Sequence, residues 1–426
     1  MIGADKIIQK KKDFLFPSSH GNHFYKNPPQ IVKGDMQYLY DDQGKEYIDF
    51  FAGVSVMNCG HCNPEILEAT ISQMQTLQHT TIIYLTEQMV NLAEKLADIL
   101  PGNLRRSFFC CTGSEANEGA MLLARLYTGK SDFIALNNGL HGRTYLTMSA
   151  TAIPMWRADP ELSRCVHFAK NVWNEGLDLE TAAKESIENI KQIINERGAN
   201  NIAALIAEPI QGNGGIITPP LWYFKELKQL LEQHQILLII DEVQTGFART
   251  GKMFAIENYG VVPDIMTIAK ALGNGMPISA FCTNDEVAKA FTKPSASTLG
   301  GNPVSSATAM AVLDYIEKNN LCERSAQLGS ILKQGLEQLK EKHPIIKDVR
   351  GLGLMLGAEL VKSNGEPATE ETDIILEKLK DCGLIVGKNG IGRNVLAFQP
   401  PLVITEDNIE TLLKKLDEVL TELTTY

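Results

Sequence analysis

The 426-residue chain has no apolar run near the roughly 18 residues that a membrane span requires. It also has no block of Lys and Arg to offset a formal net charge of −11. A nucleic-acid partner is therefore not expected. Lys10-Lys11-Lys12 is a short basic run of the kind that lies on a solvated face. The N-terminus lacks the apolar core of a secretion signal, so the expected location is cytoplasmic. Eight cysteines over this length do not make a disulfide framework. Cys59-Gly60-His61-Cys62 has dithiol spacing, but a redox pair should open a helix directly after a strand. Here the helix is expected only at Pro64-Glu65, and no second ligand pair completes a zinc site. Both cysteines are read as structural and no metal is expected. Repeats and low-complexity tracts are absent as well. What remains, 44% hydrophobic and 21% charged residues, is a globular composition long enough for two domains.

Residues 31–51 read as a short β-meander, with a turn at Asp41-Asp42-Gln43-Gly44. Beyond residue 64 the pattern alternates between helices and short apolar strands. Helices are expected at 65–79, 87–99, 114–128, 179–197 and 221–234. Strands are expected at 106–111, 133–137, 203–207, 236–241, 265–268 and 278–282. Such alternation gives a mostly parallel sheet covered on both faces. A helical stretch at 304–341, strands near 348–360 and 384–399, and helices at 369–382 and 406–423 then suggest a smaller α+β domain. The division expected is an N-terminal segment (1–60) packing with the small domain, a large domain (61–310) and the C-terminal small domain (311–426).

Three strands end on residues with chemistry. Ala203–Ala207 ends at Glu208, Ile236–Ile240 at Asp241, and Ile265–Ala269 at Lys270. Ligands of open α/β sheets bind at that edge. A lysine can carry an aldehyde as a Schiff base, and an acid can keep a pyridine nitrogen protonated so that the ring accepts electrons. That pair suits pyridoxal phosphate. Gly113-Ser114-Glu115-Ala116-Asn117 follows the strand Ser107–Cys111 and opens a helix, where free N–H groups and the macrodipole favour a phosphate. Gln244 could donate to the ring hydroxyl, and Val243 could pack under the ring.

The chain resembles the class III, fold type I, pyridoxal-phosphate aminotransferases over nearly its whole length. The likeness rests on Ala207-Glu208-Pro209, Asp241-Glu242-Val243-Gln244-Thr245-Gly246-Phe247, Pro263-Asp264 and Ala269-Lys270. Within the class it is nearest the group of alanine–glyoxylate aminotransferase and ethanolamine-phosphate phospho-lyase. The resemblance implies an α/β fold with a mostly parallel seven-stranded sheet between helices. It implies Lys270 as the Schiff-base lysine and proton shuttle, Asp241 as the pyridinium partner, and Glu208 as a further active-site acid. Gly113, Ser114, Leu140, His141, Val243 and Gln244 are the implied cofactor contacts. Thr298, in Ser297-Thr298-Leu299-Gly300-Gly301, is similar to a threonine that reaches the phosphate from the neighbouring subunit, so at least a homodimer is expected.

Two departures stand out. Leu140 precedes His141-Gly142 where the family usually has a stacked aromatic. In Asn394-Val395-Leu396-Ala397-Phe398-Gln399-Pro400-Pro401, Ala397 takes the place of an arginine that grips the substrate carboxylate as a bidentate pair. Arg157 and Arg393 are the candidate substitutes. The expected activity is transfer of an amino group from a small amine or amino acid to a keto acid such as pyruvate or glyoxylate. The alternative is a lyase on the same scaffold, acting on phosphoethanolamine or a hydroxylated 2-aminoethylphosphonate.

Overall fold

The computed structural model describes residues 2–19, 24–173 and 176–423. The meander forms as β1 (Ile31–Asp35), β2 (Tyr38–Asp41) and β3 (Glu46–Asp49). The strands β4 (Arg106–Cys110), β5 (Asp132–Leu136), β6 (Val166–Ala169), β7 (Ile202–Ala207), β8 (Leu237–Asp241), β9 (Ile265–Ile268) and β10 (Ser279–Thr283) build one seven-stranded sheet. Its order is β4-β10-β9-β8-β7-β5-β6, and only β10 runs against its neighbours. The mixed, mostly parallel α/β sheet expected from the sequence is therefore present. The seventh strand, β6, was not expected from the pattern. It is a four-residue edge strand (Val-His-Phe-Ala), too short for an alternation to show.

The central strands are apolar on both faces because each face meets its own layer. Along β5, Ile134 and Leu136 join one buried cluster while Phe133 and Ala135 join the other. Along β8, Leu238 and Ile240 alternate in the same way with Leu237 and Ile239. This is the period-two geometry of a strand. The helix Gly113–Thr128 crosses the second face, and Tyr223–Gln233 packs on β8 from the first.

The remaining strands are β11 (Ile346–Leu352), β12 (Met355–Leu360), β13 (Leu384–Ile385), β14 (Gly387–Asn389) and β15 (Val395–Phe398). An antiparallel sheet forms in the order β11-β12-β15-β14, and β13 pairs in parallel with β3 of the meander. The expected helical stretch 304–341 is two helices, Pro303–Lys318 and Leu321–Lys342. The break is at Asn319-Asn320, where Asn320 takes a left-handed conformation (φ 49°) that asparagine tolerates. Three short features were also unforeseen: the helix Ala4–Phe14, the helix Tyr145–Ala150, and a left-handed turn at Ala52–Ser55 with φ between 48° and 68°. Among the described residues no helix is long and apolar enough to cross a membrane, and no group of three His, Cys, Asp or Glu is placed to hold a metal. All eight cysteines are free thiols. Cys59 is buried and Cys62 exposed.

Candidate active site

β4 runs in the same direction as β5, β7, β8 and β9, so five strands deliver their C-terminal ends to one rim of the sheet. The rim surrounds a cavity of ≈ 320 Å³ lined by Gly113, Ser114, Leu140, His141, Glu208, Asp241, Val243, Gln244 and Lys270, with apolar walls from Val56, Met276, Pro277 and Ile278. Nine residues singled out in the sequence thus meet in one place.

Asp241 is buried and its carboxylate is almost fully engaged. Oδ2 accepts from Asn117 Nδ2 at 2.8 Å and pairs with His141 Nδ1 at 2.8 Å. Oδ1 accepts from the Val243 N–H at 3.0 Å. Burial would push the His141 imidazole down, but its hydrogen bond to Asp241 and the charges of Asp241 and Glu208 carry it above its ordinary value. Nε2 of His141 is buried and has no partner among the described residues.

Lys270 follows β9 at φ 48°, a left-handed conformation that costs a non-glycine residue about 1–3 kcal/mol. Among the described residues its ammonium makes no hydrogen bond and no ion pair. Desolvation holds its pKa below the ordinary value of 10.5, against the opposing charges of Asp241 and Glu208. A lysine in this state supplies a neutral amine more readily than one at the surface.

The helix Gly113–Thr128 is capped by Thr112, whose hydroxyl accepts from the Glu115 N–H. Among the described residues the N–H groups of Gly113 and Ser114 have no partner, and they sit at the positive end of the dipole. Gly113 must be glycine, because a Cβ there would come within 2.9 Å of Val243 Cγ1. Gln244 is buried and its Nε2 has no acceptor among the described residues.

A free lysine, an acid with a lone pair to spare, an orphaned amide donor and an open helix start are what a phosphorylated pyridine aldehyde needs. The residues present fit that group. Asn117 and Thr267 were not singled out in the sequence. Asn117 could have been found, since it is a polar residue on a helix face that otherwise shows Ala116, Ala120, Met121 and Ala124.

Glu208 is 5% exposed and accepts from Leu140 N at 2.9 Å and Gly212 N at 3.1 Å. Burial, reinforced by Asp241, pushes its carboxyl up to about 7 against the lowering effects of His141 and the two N–H donors. Ala397 is fully buried in β15, packed with Ile210, Ile216 and Met355.

Three expected site residues lie elsewhere. The Arg157 guanidinium donates to the carbonyls of Met148, Ser149 and Thr151 at the end of a short helix and covers the Phe168 ring. Arg393 donates to the Lys388 carbonyl and lies 5.1 Å from the Phe24 ring centre. Neither lines the cavity, because helix-end and turn carbonyls claim both cations. Thr298 is exposed and borders a separate cleft of ≈ 100 Å³ beside His79–Ile82 and Tyr84–Thr86.

The family model described as "Aminotransferase class-III" matches residues 21–420. The chain is 43% identical over 429 residues to alanine–glyoxylate aminotransferase 2 homolog 2 of Arabidopsis thaliana, covering 99% of this chain and 88% of that protein. It is 40% identical over 403 residues to the acetylornithine aminotransferase of Methanocaldococcus jannaschii, covering 93% and 94%. The structure superposes on a Bacillus anthracis aminotransferase with a TM-score of 0.90 at 33% identity, covering 98% of each chain. None of these supports the lyase alternative. With its cavity built around Lys270 and Asp241, the chain belongs to the class III aminotransferases, and its cofactor is pyridoxal phosphate.

Proposed function

We propose that this enzyme moves the amino group of a small amine or amino acid to a keto acid such as pyruvate or glyoxylate. The observation that carries the reading is the convergence of Lys270, Asp241, Gln244 and the Gly113-Ser114 helix start on one cavity. When bound, pyridoxal phosphate supplies an aldehyde for the incoming amine and a ring that takes up electrons. Lys270 Nζ, desolvated and without an ion pair among the described residues, would hold the aldehyde and is placed to serve as the base for the substrate α-proton. Asp241 Oδ1, with an acceptor position to spare, would take the ring N–H. Gln244 Nε2, buried without an acceptor among the described residues, would donate to the ring oxygen. The N–H groups of Gly113 and Ser114 would hold the phosphate.

The same reading makes the enzyme a homodimer. Ile82, Ile83, Tyr84 and Leu85 are 60%, 80%, 67% and fully exposed, and Ile82, Tyr84 and Leu85 border the cleft that holds Thr298. A contiguous apolar stretch of that kind favours a partner surface. A second copy seated there would bring Thr298 towards its neighbour's phosphate. Ile83→Glu with Leu85→Glu should yield a monomer by sedimentation.

The activity is tested by mixing holoenzyme with single amines in the absence of keto acid. The panel is alanine, β-alanine, 4-aminobutyrate, phosphoethanolamine and 2-aminoethylphosphonate with its 1-hydroxy derivative. Conversion of the cofactor to pyridoxamine phosphate that stops after one turnover is the expected result. Continuous release of ammonia with the starting spectrum retained would overturn it in favour of elimination.

A further inference from the structure

We propose that Asn117 and Thr267 are positioning residues that dedicate one oxygen of Asp241 to the pyridine nitrogen of the cofactor. Asp241 and Thr267 are cross-strand partners on β8 and β9, so their side chains share a face of the sheet. The helix Gly113–Thr128 lies on that face and lowers Asn117 between them.

The orientation of the Asn117 amide follows from what surrounds it. One end meets the His141 carbonyl at 2.7 Å and Asp241 Oδ2 at 2.8 Å. A carbonyl and a carboxylate only accept, so the NH₂ group must point there. The amide oxygen therefore faces Thr267 Oγ1 at 2.6 Å, and that hydroxyl has to donate. Asn117 is 1% exposed and Thr267 is fully buried, so water does not compete.

Bond accounting on Asp241 then gives the consequence. Oδ2 has two lone pairs, one taken by Asn117 and the other by His141. Oδ1 has given one to the Val243 N–H. A single acceptor position remains, on Oδ1. The chain from Thr267 through Asn117 removes every alternative, since Oδ2 cannot turn to the ring without abandoning two buried donors. Loss of a charge-assisted bond in such a site is expensive.

The test uses cofactor-free protein and two ligands: pyridoxal phosphate and its 1-deaza analogue, in which the ring nitrogen is a C–H. Both carry the aldehyde and the phosphate, so effects on Lys270 or the helix start act on both alike. By titration of intrinsic fluorescence, Asn117→Ala should weaken pyridoxal phosphate binding roughly 30-fold and Thr267→Val about tenfold. Thr267→Ser, which keeps the hydroxyl, should stay within about threefold of the wild type. The analogue should bind all four proteins equally. Equal losses for both ligands would reduce the pair to a packing role and overturn the proposal. Unchanged binding of pyridoxal phosphate in both Asn117→Ala and Thr267→Val would overturn it too.

Discussion

Asp241 and Glu208 end neighbouring strands of the same sheet, yet their surroundings are opposite. Asp241 accepts from Asn117 and Val243 and pairs with His141, which stays above its ordinary pKa beside it. Glu208 accepts only two backbone N–H groups, and burial lifts its carboxyl to about 7. Among the described residues, no arginine and no lysine other than Lys270 lines the cavity they share. One carboxylate is held by side-chain and backbone partners on both oxygens, and the other is left near the point of neutrality. The Asp241 carboxylate is fixed by three partners, whereas Glu208 has two backbone donors only, and Ala397, packed with Ile210, Ile216 and Met355, offers it no charge.

The sharpest way to break this contrast is Lys270→Ala. It removes both the amine that holds the aldehyde and the base, so the turnover number should fall by at least about 10⁴-fold. Rapid-mix absorbance with the amine panel measures it, and a loss below a hundredfold would mean that another group moves the proton. Asp241→Asn is next. It keeps the shape but removes the charge, and the turnover number should fall by about 10² to 10³-fold. A change smaller than tenfold would show that the ring does not depend on a charged partner.

Ala397→Arg tests the other side. The new side chain must pass Ile210 and Ile216, so the fold should lose about 1–3 kcal/mol from overpacking. If it reaches Glu208 it forms a buried pair that can exchange for a substrate carboxylate. Activity with alanine should then rise about tenfold. A lower melting temperature with no gain for alanine would mean that a carboxylate is already gripped by another residue.

How much of this was legible beforehand depended on where each signal lies. The rim was readable because every central strand is an apolar run that stops at a polar residue, and parallel strands stop on the same side. Glu208, Asp241 and Lys270 follow from that alone. Thr267 was not readable, since threonine in a strand looks like an ordinary β-former, and only the tertiary fold brings Asn117 onto it. β6 escaped notice because four residues on a sheet edge carry no period. Arg157 and Arg393 were visible as cations, but their directions are set by the carbonyls of Met148–Thr151 and of Lys388, which no spacing rule predicts. The break at Asn319-Asn320 left its mark in the sequence as a pair of asparagines inside a helical pattern.

The smallest expected effect concerns Glu208 itself. In the folded, cofactor-free protein its carboxyl is raised from 4.5 to about 7, chiefly by burial. The folded state then binds a proton more tightly than the unfolded one between those values. Stability from this group is full below pH 4.5 and is lost as pH rises towards 7. Glu208→Gln removes the titration. It also removes one acceptor, because the amide oxygen cannot serve the Leu140 and Gly212 N–H groups as two carboxylate oxygens do. That second cost does not vary with pH, so the two contributions separate. Glu242 is raised to about 7 as well, by burial, but it is present in both proteins and cancels in the difference. The melting temperature of Glu208→Gln minus that of the wild type should therefore climb by a few degrees between pH 5 and about 7.5, then level off. A flat difference would mean that Glu208 is ionised throughout, and the contrast with Asp241 would have to be drawn from geometry alone.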